Sequence, residues 1–236
     1  MRTFLAVILL AASVLATPAL AAMSAVNPAL TQNLAAHPKK IVLLPPQLFV
    51  YELSAGGVPT RMTDWEITAR DNIVSAATRL SREAGLFELV PAPDLEPQLA
   101  DQLEAHIGLY DRVAQSVFVY GRGDQAAWAH KKNEFDYTVG PGLAFLRERT
   151  GADAALIVLG SDFISSGGRR AAFIAGLALG IVMPLGQSFI TAGIVDLTTG
   201  DVLWMSFDSS LSMDSRTPAD VDSLMRDLYQ TWPGPR

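Results

Sequence analysis

The sequence predicts an α/β fold on one mixed sheet, and three observations carry that expectation. Short β-branched runs alternate with segments whose apolar residues recur at helical spacing, as in strands joined by crossover helices. The last two strand-like runs, Phe189 to Leu197 and Val202 to Phe207, are separated only by Thr198-Thr199-Gly200-Asp201, a hairpin connection that makes them antiparallel. Half of the 236 residues are apolar and 18% are charged, enough material for one sizeable core.

Taken in order, residues 1–22 read as a secretory signal peptide. Arg2 precedes an apolar run from Phe4 to Ala16, and Ala19-Leu20-Ala21 supplies a small-x-small cleavage site. That run is short of the roughly 20 residues a spanning helix needs. Cleavage after Ala21 or Ala22 removes Arg2 and takes the net charge from −6 to −7. The signal is of bacterial type, so the expected compartment is the periplasm, with possible association with the outer membrane. Residues 23–38 contain two prolines and many small polar residues, and are expected to form a flexible leader. A single domain is expected over 39–232, with an apolar insert at 171–186.

Ile41 to Leu44 and Leu48 to Tyr51 are strand-like and are interrupted by Pro45-Pro46, which cannot donate to a ladder. Thr63-Asp64-Trp65-Glu66 fits a capping box. It opens a helix with Trp65, Ala69, Ile73, Ala77 and Leu80 on one face, ended by Gly85. Leu86 to Val90 is a short strand. Asp94 is placed to cap a second helix, with Leu95, Leu99, Leu103, Ile107, Tyr110, Ala114 and Val117 as its buried stripe. The Val117 to Tyr120 end also reads as a strand. A short helix through Arg149 precedes Asp153 to Ile164, an apolar run suited to a strand covered on both faces. After the hairpin, Thr217-Pro218-Ala219-Asp220 opens a last helix with Val221, Leu224, Met225, Leu228 and Trp232 as its stripe.

Composition excludes several functions. Eighteen basic against 24 acidic residues, without a basic tract, speak against nucleic acid as a partner. Zero cysteines exclude disulfides, thiolate metal sites, a cysteine nucleophile and an N-terminal lipidated cysteine. His37, His106 and His130 form no joint motif, and His130 with Glu134 would offer only two ligands. Gly121-Arg122-Gly123-Asp124-Gln125-Ala126 matches G-x-G-x-x-[GA], but no acidic residue ends the next strand as a dinucleotide site requires. Ser165-Ser166-Gly167-Gly168 is ordinary turn composition. No catalytic residue, metal or cofactor is therefore expected.

Two segments carry a resemblance: Gly151-Ala152-Asp153-Ala154-Ala155-Leu156-Ile157-Val158-Leu159-Gly160, and Val195-Asp196-Leu197-Thr198-Thr199-Gly200-Asp201-Val202-Leu203-Trp204. Together they resemble bacterial envelope families: the curli-secretion lipoproteins, the penicillin-binding-protein activator lipoproteins, lipoproteins of the DUF799 type, and the N-terminal domain of TolB. The resemblance implies an α/β fold like the TolB N-terminal domain, with crossover helices and a C-terminal antiparallel hairpin. It also implies a non-enzymatic role in binding other envelope proteins, in assembly, secretion or cell-wall regulation. The chain departs from those lipoproteins in lacking a cysteine and in carrying the uncharged stretch Ala171 to Leu185.

That stretch is expected to form a helix over Ala171 to Met183. It follows Arg169-Arg170 and holds a G-x-x-x-G pair at Gly176 and Gly180. The leading expectation buries it on the sheet or on another subunit of a homo-oligomer, with Leu179 on its inner face; membrane contact through 171–186 is the alternative. Trp128 and Tyr137, with Phe135, flank Lys131-Lys132, and such aromatics either bind a partner or pin a long loop to the core. The candidate interaction residues are thus Trp128, Tyr137, Arg169, Arg170, Gly176 and Gly180. Two rival readings stand beside the binding protein: a periplasmic hydrolase with an unrecognised site, and a membrane-inserting oligomer formed through 171–195.

Overall fold

The longest strand, β6 (Ala154–Ser165), organises the sheet, because its whole N-terminal half is buried on both faces. A computed structural model describes residues 23–33, 37–120 and 134–234. On one side β6 pairs antiparallel with β7 (Gln187–Asp196), which pairs antiparallel with β8 (Val202–Ser210). Its other side is shared by two strands, both parallel to it. β2 (Lys40–Leu43) takes residues 154–156, and β3 (Gln47–Leu53) takes residues 159–165. β5 (Glu88–Pro91) extends the sheet parallel to β2, and β4 (Pro59–Arg61) runs antiparallel to β3. The sheet is mixed, as the order of elements predicts, and has eight strands, of which β1 and β4 were not expected.

Pro45-Pro46 causes the sharing. Ile41 lies opposite Ala154 and Gln47 opposite Leu159, so residues 44–46 span the two positions 157–158 and form a bulge. The Leu44 amide still donates to the Leu156 carbonyl at 3.0 Å. The next two residues have no N–H to give, so the bulge leaves no orphaned donor.

Helices cover both faces. α2 (Thr63–Glu83) and α6 (Pro218–Gln230) pack on one face through Ile73, Ala77, Val221 and Leu228, around Trp204. α3 (Pro97–Tyr120) and α4 (Ala144–Thr150) cover the other through Ile107, Tyr110 and Leu146. Periodicity places α2, α3 and α6 well. The Val117 to Tyr120 segment is the end of α3 rather than a strand.

The leader differs from expectation. Met23–Val26 forms β1, antiparallel to β8, and Pro28–Gln32 forms α1. Asn27 Oδ1 caps that helix by accepting from the Ala29 amide at 2.9 Å, and Leu30 is buried in the core. The edge of β8 supplies backbone partners that a composition of small residues could not announce. The signal-peptide segment lies outside the described residues.

The capping box is also replaced. The α2 N-cap is Met62 and makes no side-chain cap bond, while Glu66 turns inward. It accepts from Arg61 Nε at 2.7 Å and Nη2 at 3.0 Å, and more weakly from the Val50 amide at 3.4 Å. A charged tertiary partner outcompetes the local bond. The Arg61 guanidinium holds the Glu66 carboxyl below the usual glutamate range.

Candidate functional site

Strand alternation aims two cross-strand ranks at the face that carries α3. Phe49, Ser161, Phe189 and Ser209 are in register in one rank, and Gln47, Leu159, Thr191, Phe207 and Met23 in the next. α3 covers these ranks only in part. Between it and the strands lies a groove of about 780 Å3, open on one side and predominantly apolar. Phe49, Phe118, Phe189 and Met23 line it at 38% to 44% exposure, far above a core aromatic. Phe118 and Phe207 meet at 5.3 Å, and the Arg61 guanidinium caps Phe49 at 4.6 Å from the ring centre. Beyond Phe49 the face continues in the stacked pair Tyr51 and Phe163, 4.9 Å apart.

Two features keep the groove open. Gly108 lines it from α3 and has nothing within 4 Å of where a Cβ would stand. Gln47 Nε2 donates to Glu104 at 2.8 Å, bridging strand and helix at one end. Asp111 lies along the lining from α3, whereas Asp208, between Phe207 and Ser209 on β8, turns its carboxyl to the opposite face toward α6. Burial, with Asp227 nearby, pushes the Asp208 carboxyl above its ordinary range.

Sequence reasoning missed Phe49, Phe118, Phe189 and Met23. The available signal was Leu48-Phe49-Val50-Tyr51, a strand with large apolar residues on both faces where one face of an exposed strand is normally polar.

The expected interaction residues are not brought together. Trp128 lies outside the described residues, as do Lys131, Lys132, His130 and the Gly121 to Ala126 turn. Phe135 is buried and Tyr137 half-buried, their rings 5.3 Å apart against the α3 core, so both pin their segment to the domain. Arg169 and Arg170 begin α5 (Gly167–Ala178), which starts four residues earlier and stops five residues sooner than expected. The Ser166 hydroxyl caps it by accepting from the Arg169 amide at 3.2 Å.

Gly176 and Gly180 do not form a helix-packing notch. The Ile181 amide donates to the Gly176 carbonyl at 2.8 Å and the Gly180 amide to the Leu177 carbonyl at 3.1 Å, with Gly180 at φ +75°. This is a Schellman stop, which needs a residue free to take positive φ at 180. Gly176 is buried beneath Ile181, and its missing Cβ lets that backbone approach. Leu179, expected on an inner face, is 77% exposed.

The main buried carboxylate is Asp162, on the opposite face of the sheet. It is fully buried and accepts from the Ser215 amide at 2.9 Å. Burial pushes its carboxyl up, against the pull of the Ser215 bonds. Among the described residues no group of three His, Asp or Glu side chains could hold a metal ion.

The two segments behind the family resemblance meet at one end of the sheet, where Ala154 pairs with Asp196 and the Leu197 amide donates to the Asp153 carbonyl at 3.0 Å. Gly151 ends α4 at φ 66°, and Asp153 Oδ2 accepts from the Lys39 and Lys40 amides. Asp196 Oδ1 accepts from the Thr198 and Thr199 amides at 2.7 and 2.9 Å, and Gly200 takes φ +78°. These turns build the fold, and of the two motifs only the end of the first, Leu159 and Gly160, reaches the groove.

No protein-family model matches the chain, and no curated protein does. Among solved structures it is similar to the PelC dodecamer from Paraburkholderia phytofirmans, at 13% identity over 91% of this chain and 98% of that one, with a TM-score of 0.39. It is also similar to lipoprotein GNA1162 from Neisseria meningitidis, at 13% identity over 83% and 99%, with a TM-score of 0.34. The LpoB C-terminal domain from Salmonella enterica matches at 11% identity over 78% and 90%, with a TM-score of 0.29. All three come from bacteria, and GNA1162 is a lipoprotein.

Proposed function

We propose that this protein is exported to the periplasm and acts without chemistry of its own, by binding another envelope protein in assembly, secretion or cell-wall regulation. The observation that carries this reading is the open aromatic groove. Monomeric proteins seldom leave several large apolar side chains side by side in solvent unless something covers them. Aromatic anchors in a partly enclosed groove are typical of binding hot spots. Asp111 beside the apolar floor, with Glu104 bonded to Gln47 at one end, favours a partner segment that is apolar in its middle and flanked by lysine or arginine. Of the two carboxylates whose proton affinity is raised by burial, Asp162 is sealed from solvent and Asp208 turns toward α6 rather than the groove.

Gly108→Leu tests the proposal. The new side chain points into open groove and replaces a glycine inside a helix, so folding stability should hold or rise by up to about 1 kcal/mol. A photo-crosslinker at Phe189 should trap a defined protein in intact cells, and Gly108→Leu should abolish that adduct while a crosslinker at exposed Glu88 traps nothing. An adduct that persists in the folded Gly108→Leu protein, or none at Phe189, overturns the reading.

A further inference from the structure

The register pairs Leu53 with Ser165, Phe163 with Gln187, and Ser188 with Ser210 mark one end of the sheet. Three connections leave from that end: residues 54–58, 166–186 and 211–217. Each carries aliphatic side chains into solvent. In the long connection, Ile174, Leu177, Leu179, Ile181 and Val182 are 48% to 77% exposed. Val58 and Leu211, from the two short ones, are exposed at 63% and 64%. The opposite end, by contrast, is closed by the polar turn Thr198-Thr199-Gly200-Asp201.

The long connection is held as a firm projection. Arg169 donates through Nε and Nη2 to the Pro184 carbonyl at 3.2 and 2.7 Å, tying the base of α5 to the returning strand. The Schellman stop at Gly180 turns the chain back at the tip. No acidic residue occurs between Asp162 and Asp196, while Arg169 and Arg170 stand at the base of the projection. The one carboxylate of the three connections, Asp214, is held below its usual range chiefly by Arg216, which bonds it at 2.6 Å, with a smaller pull from Arg170.

From this arrangement we infer that this end of the molecule rests on a lipid bilayer with anionic head groups, the aliphatic tip entering the head-group boundary and the arginines lying at phosphate level. The chemistry fits that occupant in two respects. The exposed residues are aliphatic and come from three separate connections at one end, which suits a broad fluid surface better than the aromatic anchors of a protein hot spot. The charge behind them is positive, although the chain as a whole is negative, which complements acidic lipid. No described helix is long and apolar enough to cross a membrane, and α5, about 18 Å long, reaches only the boundary layer. This surface is at the sheet end and the groove on the sheet face, so each stands or falls separately.

The experiment is flotation of the mature protein with vesicles of phosphatidylethanolamine and phosphatidylglycerol, compared with phosphatidylcholine alone. The protein should float with the anionic vesicles, less with the neutral ones. The double variant Leu179→Asp/Val182→Asp should lose vesicle binding by about tenfold or more. Both positions are 77% exposed, so its melting temperature and sedimentation should match the parent. Arg170→Gln should weaken binding to anionic vesicles and leave binding to neutral ones unchanged. A parent that does not float, or a double variant that floats like the parent, overturns the inference. So does a double variant that sediments as a smaller species than the parent, which would assign the tip to a second copy of the chain.

Discussion

The ring of Tyr110 occupies the space where a side chain at Gly193 would stand. A Cβ at residue 193 would collide with the phenol oxygen and ring edge, and the hydroxyl lies 3.4 Å from Thr191 Oγ1. α3 thus meets β7 by a tyrosine laid on bare backbone. Full burial also pushes the Tyr110 phenol well above its ordinary pKa. Gly193→Ala should therefore destabilise by about 1 to 3 kcal/mol, the usual cost of overpacking a filled core. Urea denaturation measures it, and Tyr110→Phe/Gly193→Ala should recover part of the loss because the colliding oxygen is gone.

Trp204 is fully buried on β8, donates from Nε1 to the carbonyl and hydroxyl of Thr231 at 3.2 and 3.1 Å, and meets Trp232 edge to face at 5.8 Å. Trp204→Ala should cost about 3 to 5 kcal/mol, as for other large buried aromatics. A loss below about 1 kcal/mol in chemical denaturation would contradict its place in the core.

Glu66→Gln should cost about 1 kcal/mol at neutral pH, since the Arg61 partner is half exposed and solvent screens part of the pair. The folded-state pKa of Glu66 is lowered, so its contribution is fully present above the ordinary glutamate range and is lost as pH falls through the lowered value. The stability difference between parent and variant should accordingly close on acidification and be constant from neutral to mildly alkaline pH.

Asp162 has the opposite sign. Its folded-state pKa is raised by burial, so the native state binds more protons than the unfolded chain as pH rises from the ordinary aspartate value to the raised one. Stability falls across that interval and stays lower above it. Asp162→Asn keeps an oxygen for the Ser215 amide and removes the charge. It should raise the melting temperature at pH 7 and leave it unchanged at pH 3, read by thermal unfolding at both.

Much of the fold was legible because it is written in local patterns. The stripe Val221, Leu224, Met225, Leu228 with Pro218 at the helix start, and the Asp196 to Gly200 turn before Trp204, need only neighbours in the chain to be interpreted. Glu66 turns inward, which was illegible because the same Thr-x-x-Glu spacing serves a cap or the arginine five residues earlier, and only the strand pairing of Arg61 decides between them. The groove was illegible for a related reason. Phe49 and Phe189 come together through β6 registration with two different strands, and their exposure depends on how far α3 reaches. At α5 the composition was read as a wish to be buried. The helix instead ends at Gly180, and its own domain offers Ile174 and Leu179 nothing to pack on.

The proline bulge has a mechanical consequence. Because residues 44–46 detach β3 from β2, the two halves of β6 share no continuous partner on that side, and the ladder is interrupted there. On its other side β7 pairs with β6 without a break across the same positions, so the interruption is confined to one edge of the strand. Amide exchange should report this as two protection classes along β6, with residues 159–165 opening at lower free energy than 154–156. Such a split would let the edge that bears Phe49 loosen without disturbing the end where the turn motifs interlock.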